Sequence, residues 1–587
     1  MQKRLLGILA TMAIVLAACG GATTSSAPAE SVAPGESAAV TEAPPESNLA
    51  DEQILRYAII GDPPTLDPSP AQDAVSIAVL GNLHRGLVYF DKDFNIVPSL
   101  AETWDISDDA KTLTFHLRAA NYSNGDPIVA GDFVYSFKRL VDPRTAAPYS
   151  YVAAEIEGAP DLLAMAGADP APSDADIDAA LDKLGVEAPD DSTFIIHLNQ
   201  GATYFLSALT LWVFVPIQES WITSEGATEA ANYVSSGPFI MDTWDHNSQI
   251  ILKPNPEWYG DVKPTLTEVQ MPIVADITAI QAAYEAGEVD AVYPVPTEDI
   301  QRVKDDPVLG AEYSEAAGLS ITYYTFNNGT DPSGEGKLAR CQDPKACPTN
   351  NLNFRIALTE AIDKTAFINA TFAGLGQVAN IFVMPGIPGY DETIDPYPFN
   401  LESAKAHMAT ALQELGFSSA AEIPPLQFGF NSGSGHEPRV AFLAEAWRQA
   451  FGLETEQIGS EFGVFLTQRT AGEYDLARDG WGADYPHANN QLSGLFTCGG
   501  GNNDSQWCNP AFDALLAKAA VEPDLDAQAA IYKEAQKLMM DEAPILPLRF
   551  AVTPALLKPY VSGVNATTND SENPGDRFYE TIQILKH

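Results

Sequence analysis

The apolar stretch Leu5–Ala18 opens this chain, and nothing of comparable length and hydrophobicity follows it. It falls short of the ~20 residues a helix needs to cross a bilayer. Lys3 and Arg4 precede it and small residues close it, the layout of an export signal over 1–18. Whatever follows must therefore fold in water. With 587 residues it exceeds what one hydrophobic core serves, so two or three lobes are expected. Residues 19–50 are mostly Ala, Ser, Pro, Glu and Thr, which cannot bury a core and read as a disordered tether.

Beyond the tether the periodicity is mixed, which predicts an α/β fold. Thr112–Leu117 alternates with period two, placing Leu113, Phe115 and Leu117 on one strand face. Phe194–Leu198 and Ile250–Leu252 are shorter strand candidates. Val440, Leu443, Ala444, Trp447 and Phe451 recur at helical spacing, with Gly452 as the stop. Phe354, Leu358, Ala361, Ile362 and Ile368 predict one further amphipathic helix behind an Asn-rich start. A third helix is predicted from about Asp526 to Glu542, closed by Pro544. Gly374-Leu375-Gly376 reads as a turn after a helix rather than a dinucleotide loop, because no buried strand precedes it.

The formal charge of −47 argues against a nucleic-acid partner, whose phosphates would be repelled. No metalloprotease, nucleophile-elbow or phosphate-loop motif is present, and the eight histidines lack ligand spacing, so no enzyme, metal site or cofactor is expected. Besides Cys19, the cysteines form two close pairs, Cys341/Cys347 and Cys498/Cys508, in loop-like sequence. In an exported chain these read as local disulfides, since a zinc site would want CxxC spacing or nearby histidines.

Leu16-Ala17-Ala18-Cys19 resembles the lipobox of bacterial lipoproteins, which implies cleavage before Cys19 and a lipid on its thiol. The alternative is an ordinary secretory signal with an incidental cysteine. Further strings resemble the family 5 extracellular solute-binding proteins, the oligopeptide- and dipeptide-binding lipoproteins of ABC transporters. They are Pro64–Pro68, Val97–Trp104 with Leu113–Arg118, Tyr122–Pro127, Asp132–Arg139, Ser236–Phe239, Asn255–Tyr259, Arg355–Asp363 and Asp475–Tyr485, in collinear order. The resemblance implies a type II periplasmic-binding-protein-like α/β fold, two main lobes plus an extra lobe around a ligand cleft. Lobe I would comprise 51–84, 214–293 and 553–587, lobe II 85–213 and lobe III 294–552.

The same resemblance implies the ligand contacts. Asp484 would grip a peptide α-amine; otherwise it caps the turn before Pro486. Trp481 would line a side-chain pocket or pack in the core. Arg469 and Arg478 match positions that receive peptide carboxylates, although they could pair with neighbouring acids instead, and His436 matches a histidine that serves longer peptides. Tyr149 matches a ligand-facing tyrosine, Tyr293 is a weaker candidate near a lobe crossing, and Gln72, beside Asp73, stands where the family has an acidic contact. Two departures leave peptide length open. Thr359 replaces a lysine serving tripeptide carboxylates, and Gly482 replaces a bridged cysteine.

The expected function is the substrate-binding component of an ABC-type importer. It would capture short peptides outside the membrane and hand them to permease subunits by open/closed lobe movement. The expected form is a monomer, lipid-anchored to the outer face of the cytoplasmic membrane. The rivals are a same-fold receptor for another solute (a nickel chelate, haem, opine or sugar) and a peptide sensor.

Overall fold

The computed structural model describes residues 48–91, 95–168, 170–222, 230–331, 336–433, 435–500, 502–564 and 578–587. The export signal, Cys19 and nearly all of the tether lie outside them. The folded body takes up chain two residues before the expected boundary at 51. Leu49 bridges to Leu585, and the Ala50 N–H donates to the Ile584 carbonyl at 2.8 Å.

Three larger sheets organise the described residues. One joins Ile54–Arg56, Glu268–Pro272, Gln249–Pro254 and Phe239–Asp245 in that spatial order, its first pair parallel and the others antiparallel. A second is antiparallel throughout: Ala101–Ile106, Thr112–Leu117, Thr193–His197 and Val186–Asp190. In it Leu113 and Phe115 are buried while His116 faces solvent, as period-two alternation requires.

The largest sheet runs Ala291–Val292, Ile545–Leu557, Tyr313–Phe326, Leu476–Gly482, Leu426–Asn431 and Thr455–Ser460. Both of its faces are covered. On one, Tyr324, Phe326, Phe428 and Leu546 pack against Leu358, Leu443 and Trp447; on the other, Ile321, Tyr323 and Phe550 pack against Leu492, Phe512 and Tyr532. Burial on both sides explains why these strands do not alternate cleanly in sequence.

Helix Glu437–Phe451 ends at Gly452, whose φ of +74° needs no Cβ there. The single helix expected over 354–368 is instead two, Leu352–Glu360 and Lys364–Thr371. Asp363 decides this: it takes an extended conformation and its side chain accepts the Ala366 N–H, so it starts a new helix rather than continuing the old one. Both cysteine pairs, Cys341–Cys347 and Cys498–Cys508, are closed as disulfides.

Several of the strings quoted above are joints. Asp67 takes both terminal nitrogens of Arg139, at 2.7 and 2.5 Å, tying the N-terminal segment to helix Ala130–Val141. Asn255 donates to the Gly237 carbonyl at 2.8 Å, and a Cβ on Gly237 would stand 2.7 Å from the His84 nitrogen.

Candidate ligand-binding site

Strand Leu476–Gly482 pairs antiparallel with Tyr313–Phe326 and parallel with Leu426–Asn431. Its pleat puts Asp479 and Trp481 on one face and Arg478 on the other. Beyond it the chain turns through Asp484 into helix Ala488–Phe496, capped by His487. Asn490 in that helix organises the turn. Its Oδ1 accepts from Trp481 Nε1 at 3.2 Å and from the Asp484 N–H at 3.1 Å, and its Nδ2 donates to Asp484 Oδ2 at 2.9 Å. The other carboxylate oxygen of Asp484 accepts the Tyr151 hydroxyl at 3.0 Å, from a segment more than 300 residues away in sequence.

These groups line a cavity of about 280 Å³, which Glu155 and Tyr204 also line. Glu155 accepts the Tyr204 hydroxyl at 2.6 Å. The cavity thus presents two carboxylates, each steadied by a tyrosine, which is an environment for a cation. Tyr149 stands next to it: its ring lies 5.5 Å from that of Tyr151 and 4.7 Å, edge-on, from that of Trp212. Trp212 Nε1 donates to the Ala71 carbonyl at 3.1 Å, which brings Gln72, exposed, into the same neighbourhood. Asp73 beside it caps helix Ala74–Leu83. Tyr293 is buried in the core that also holds Leu55, Tyr57 and Tyr485.

A basic group gathers on the Arg478 face of the strand. Arg478 Nε donates to Asn431 Oδ1 at 2.6 Å, and its guanidinium lies over the Phe465 ring at 5.2 Å. His436, at the start of helix Glu437–Phe451, accepts from Arg439 Nη1 through Nδ1 at 3.3 Å. Partial burial, then Arg478 and Arg439, hold the His436 imidazole down at about 4. Arg439 and Arg549 each lie 4.1 Å from the centroid of the Phe372 ring.

Arg469, by contrast, is engaged within the protein. It meets Asp479 at 2.6 Å and Asp504 at 2.7 Å, with its side chain 13% exposed. Burial pushes the Asp504 carboxyl up to about 6 even with Arg469 beside it. Thr359 is buried and donates its hydroxyl to the Arg355 carbonyl at 2.9 Å, so the helix takes up its only donor. Gly482 is exposed, with open space where a side chain would stand.

Sequence reasoning missed Tyr151, Asn490, Arg439 and Arg549. Tyr151 stands two residues after Tyr149 and Asn490 six after Asp484, so proximity to named candidates was an available signal for both. Arg439, three residues after His436, carried the same signal, and Arg549 carried none.

Comparisons with known proteins address the chain as a whole. The family described as "Bacterial extracellular solute-binding proteins, family 5 Middle" matches residues 95–503. The "Oligopeptide-binding protein OppA" of Bacillus subtilis is 28% identical over 94% of this chain and 94% of its own. The "Probable deoxycholate-binding periplasmic protein YgiS" of Escherichia coli is 30% identical over 93% of this chain and 96% of its own. Among solved structures, the "MppA Periplasmic Murein Tripeptide Binding Protein, Unliganded Open Form", a protein of Escherichia coli, superposes with a TM-score of 0.78. It is 27% identical, over 92% of this chain and 98% of that one.

Proposed function

Because the chain belongs to the family 5 bacterial extracellular solute-binding proteins, we propose that it is the peptide-capturing component of an ABC-type importer. The observation that carries this reading is the placement of Asp484. Its carboxylate is fixed by Asn490 and Tyr151 at a cavity whose other acid is Glu155, a setting suited to a peptide ammonium. At the other end of strand Leu476–Gly482, the Arg478 group suits the peptide carboxylate. Arg478 and Gly482 are about 13 Å apart along the strand at ~3.3 Å per residue, the span of a few extended peptide residues. The protein acts by binding and release, without catalysis.

The same reading assigns lobe I to 51–84, 214–293 and 553–587, lobe II to 85–213 and lobe III to 294–552. Sheet composition supports it: the Ile54–Arg56 sheet draws its strands from the first set and the Thr112–Leu117 sheet from the second. The two crossings into lobe III run side by side, since Ala291 faces Leu557 and the Val295 N–H donates to the Pro554 carbonyl at 2.9 Å. Paired crossings can serve as a hinge for closure over ligand. A lipid on Cys19 and a tether over 19–50 would hold a monomeric receptor beside its permease and raise its effective concentration there. Within the described residues no helix is long and apolar enough to cross a membrane. Loss of detergent-phase partitioning in Cys19→Ser would support the anchor; unchanged partitioning would remove it.

The deciding experiment is mass spectrometry of small molecules released on denaturing protein purified from its native cell. Peptides of roughly two to six residues support the reading. A second reading, a receptor for another anionic solute, draws on the printed name of the deoxycholate-binding relative. Release of an amine-free acid would favour it.

A further inference from the structure

The basic group around Arg478 holds more positive charge than one peptide terminus can balance. Arg439, Arg478 and Arg549 each lack an ion-pair partner among the described residues, in a chain with 79 acidic side chains against 32 basic ones. The nearest acids are occupied. Asp479 meets Arg469 at 2.6 Å, and Glu437 accepts the Gly433 N–H at 3.1 Å. Arg439 Nε and the Tyr324 hydroxyl are buried without an acceptor.

The cluster is also built rather than incidental. Tyr324 faces Arg478 across the strands. A bulge at Leu548, between the pairs Tyr323/Pro547 and Thr322/Arg549, turns Arg549 onto that same face. Arg549 Nε then donates to the Leu375 carbonyl at 2.6 Å, inside the Gly374–Gly376 turn. Gly376 has a φ of +129°, and a Cβ there would stand 2.5 Å from Arg549 Nε, so the turn is shaped around this guanidinium. Burial, then Arg439, holds the Arg549 group down at about 10, the sign of cations kept close without compensation.

We propose that this end receives two carboxylates, so that the preferred ligands are peptides whose C-terminal residue carries an acidic side chain beside the α-carboxylate. The inference rests on the peptide-receptor reading and deepens it. A lone α-carboxylate would leave two of the three guanidiniums uncompensated. A second carboxylate supplies further acceptors for the Arg439 and Arg549 guanidiniums.

Calorimetry on the full chain with matched peptides of three to five residues tests it, each length ending in Glu or in Gln. At the accepted length the Glu-ended peptide should bind about tenfold more tightly or better. Arg439→Gln or Arg549→Gln should cut that preference to about threefold or less. Equal affinity for both endings at every length in the unmodified protein overturns this inference and leaves the peptide reading standing. Failure of every peptide to bind overturns the peptide reading itself.

Discussion

The acidic and the basic groups along strand Leu476–Gly482 are prepared differently. At the acidic end each carboxylate already has a neutral donor: Asp484 has Tyr151 and Asn490, and Glu155 has Tyr204. At the basic end three guanidiniums make neutral and ring contacts only, and their neighbour His436 is kept uncharged. An anchor that is hydrogen-bonded in advance holds one geometry and loses little in ordering when an ammonium arrives. A cluster of like charges with no counter-ion gains most from whatever brings negative charge. On the proposed reading, the acidic group would set where a ligand starts and the basic group which ligand is kept.

Arg469 marks the limit of that contrast and gives the largest expected effect. It lies nine residues before Arg478 but spends its charge on Asp479 and Asp504. Arg469→Ala leaves those carboxylates buried and unpaired and should destabilise the fold by about 3–5 kcal/mol in denaturant unfolding. A variant that keeps its stability but loses peptide would move Arg469 from scaffold to ligand site. Asp484→Ala should do the opposite, lowering peptide affinity by about 30-fold or more with little change in melting temperature. Unaltered affinity in calorimetry would refute the anchor.

The next effect depends on pH. His436 sits at about 4 when free, facing Arg478, Arg439 and Glu437. A ligand carboxylate beside it would raise that value toward or past the ordinary 6.5. The bound state then holds more protons, so binding strengthens as pH falls from 8 to about 5.5, by about tenfold, with proton uptake visible in buffers of different ionisation enthalpy. His436→Gln should remove the uptake; a flat profile in the unmodified protein would detach His436 from the ligand. The smallest effect is at the acidic end. Tyr151→Phe removes one of the bonds that fix Asp484, worth about 1 kcal/mol net, so affinity should fall about fivefold. A rise instead would make Tyr151 a stand-in for the ammonium rather than a support of the anchor.

Much of this was legible in the residues. The period-two run Thr112–Leu117 and the stop at Gly452 follow from local geometry, which needs no partner to be read. Asp484 and Trp481 were visible because they sit in one short string. The break at Asp363 was not: the apolar residues keep helical spacing across it, and only the cap decides where one helix ends. Asn490 was missed because an amide becomes an organiser only when a strand end and a helix start are brought together.

The sequence by itself carried the net acidity, the α/β class and the strings that mark the family. The tertiary structure alone decided which arginines are spent on the protein's own acids. Arg469 and Arg478 were both carboxylate candidates until the fold put Asp479 and Asp504 in ion pairs with the first and, among the described residues, left the second without one. Arg549 would point away from Arg478 by simple alternation, and the bulge at Leu548 reverses it. Periodicity is local, whereas charge compensation and strand register are settled between segments far apart in the chain, and at this site those segments meet only in the folded protein.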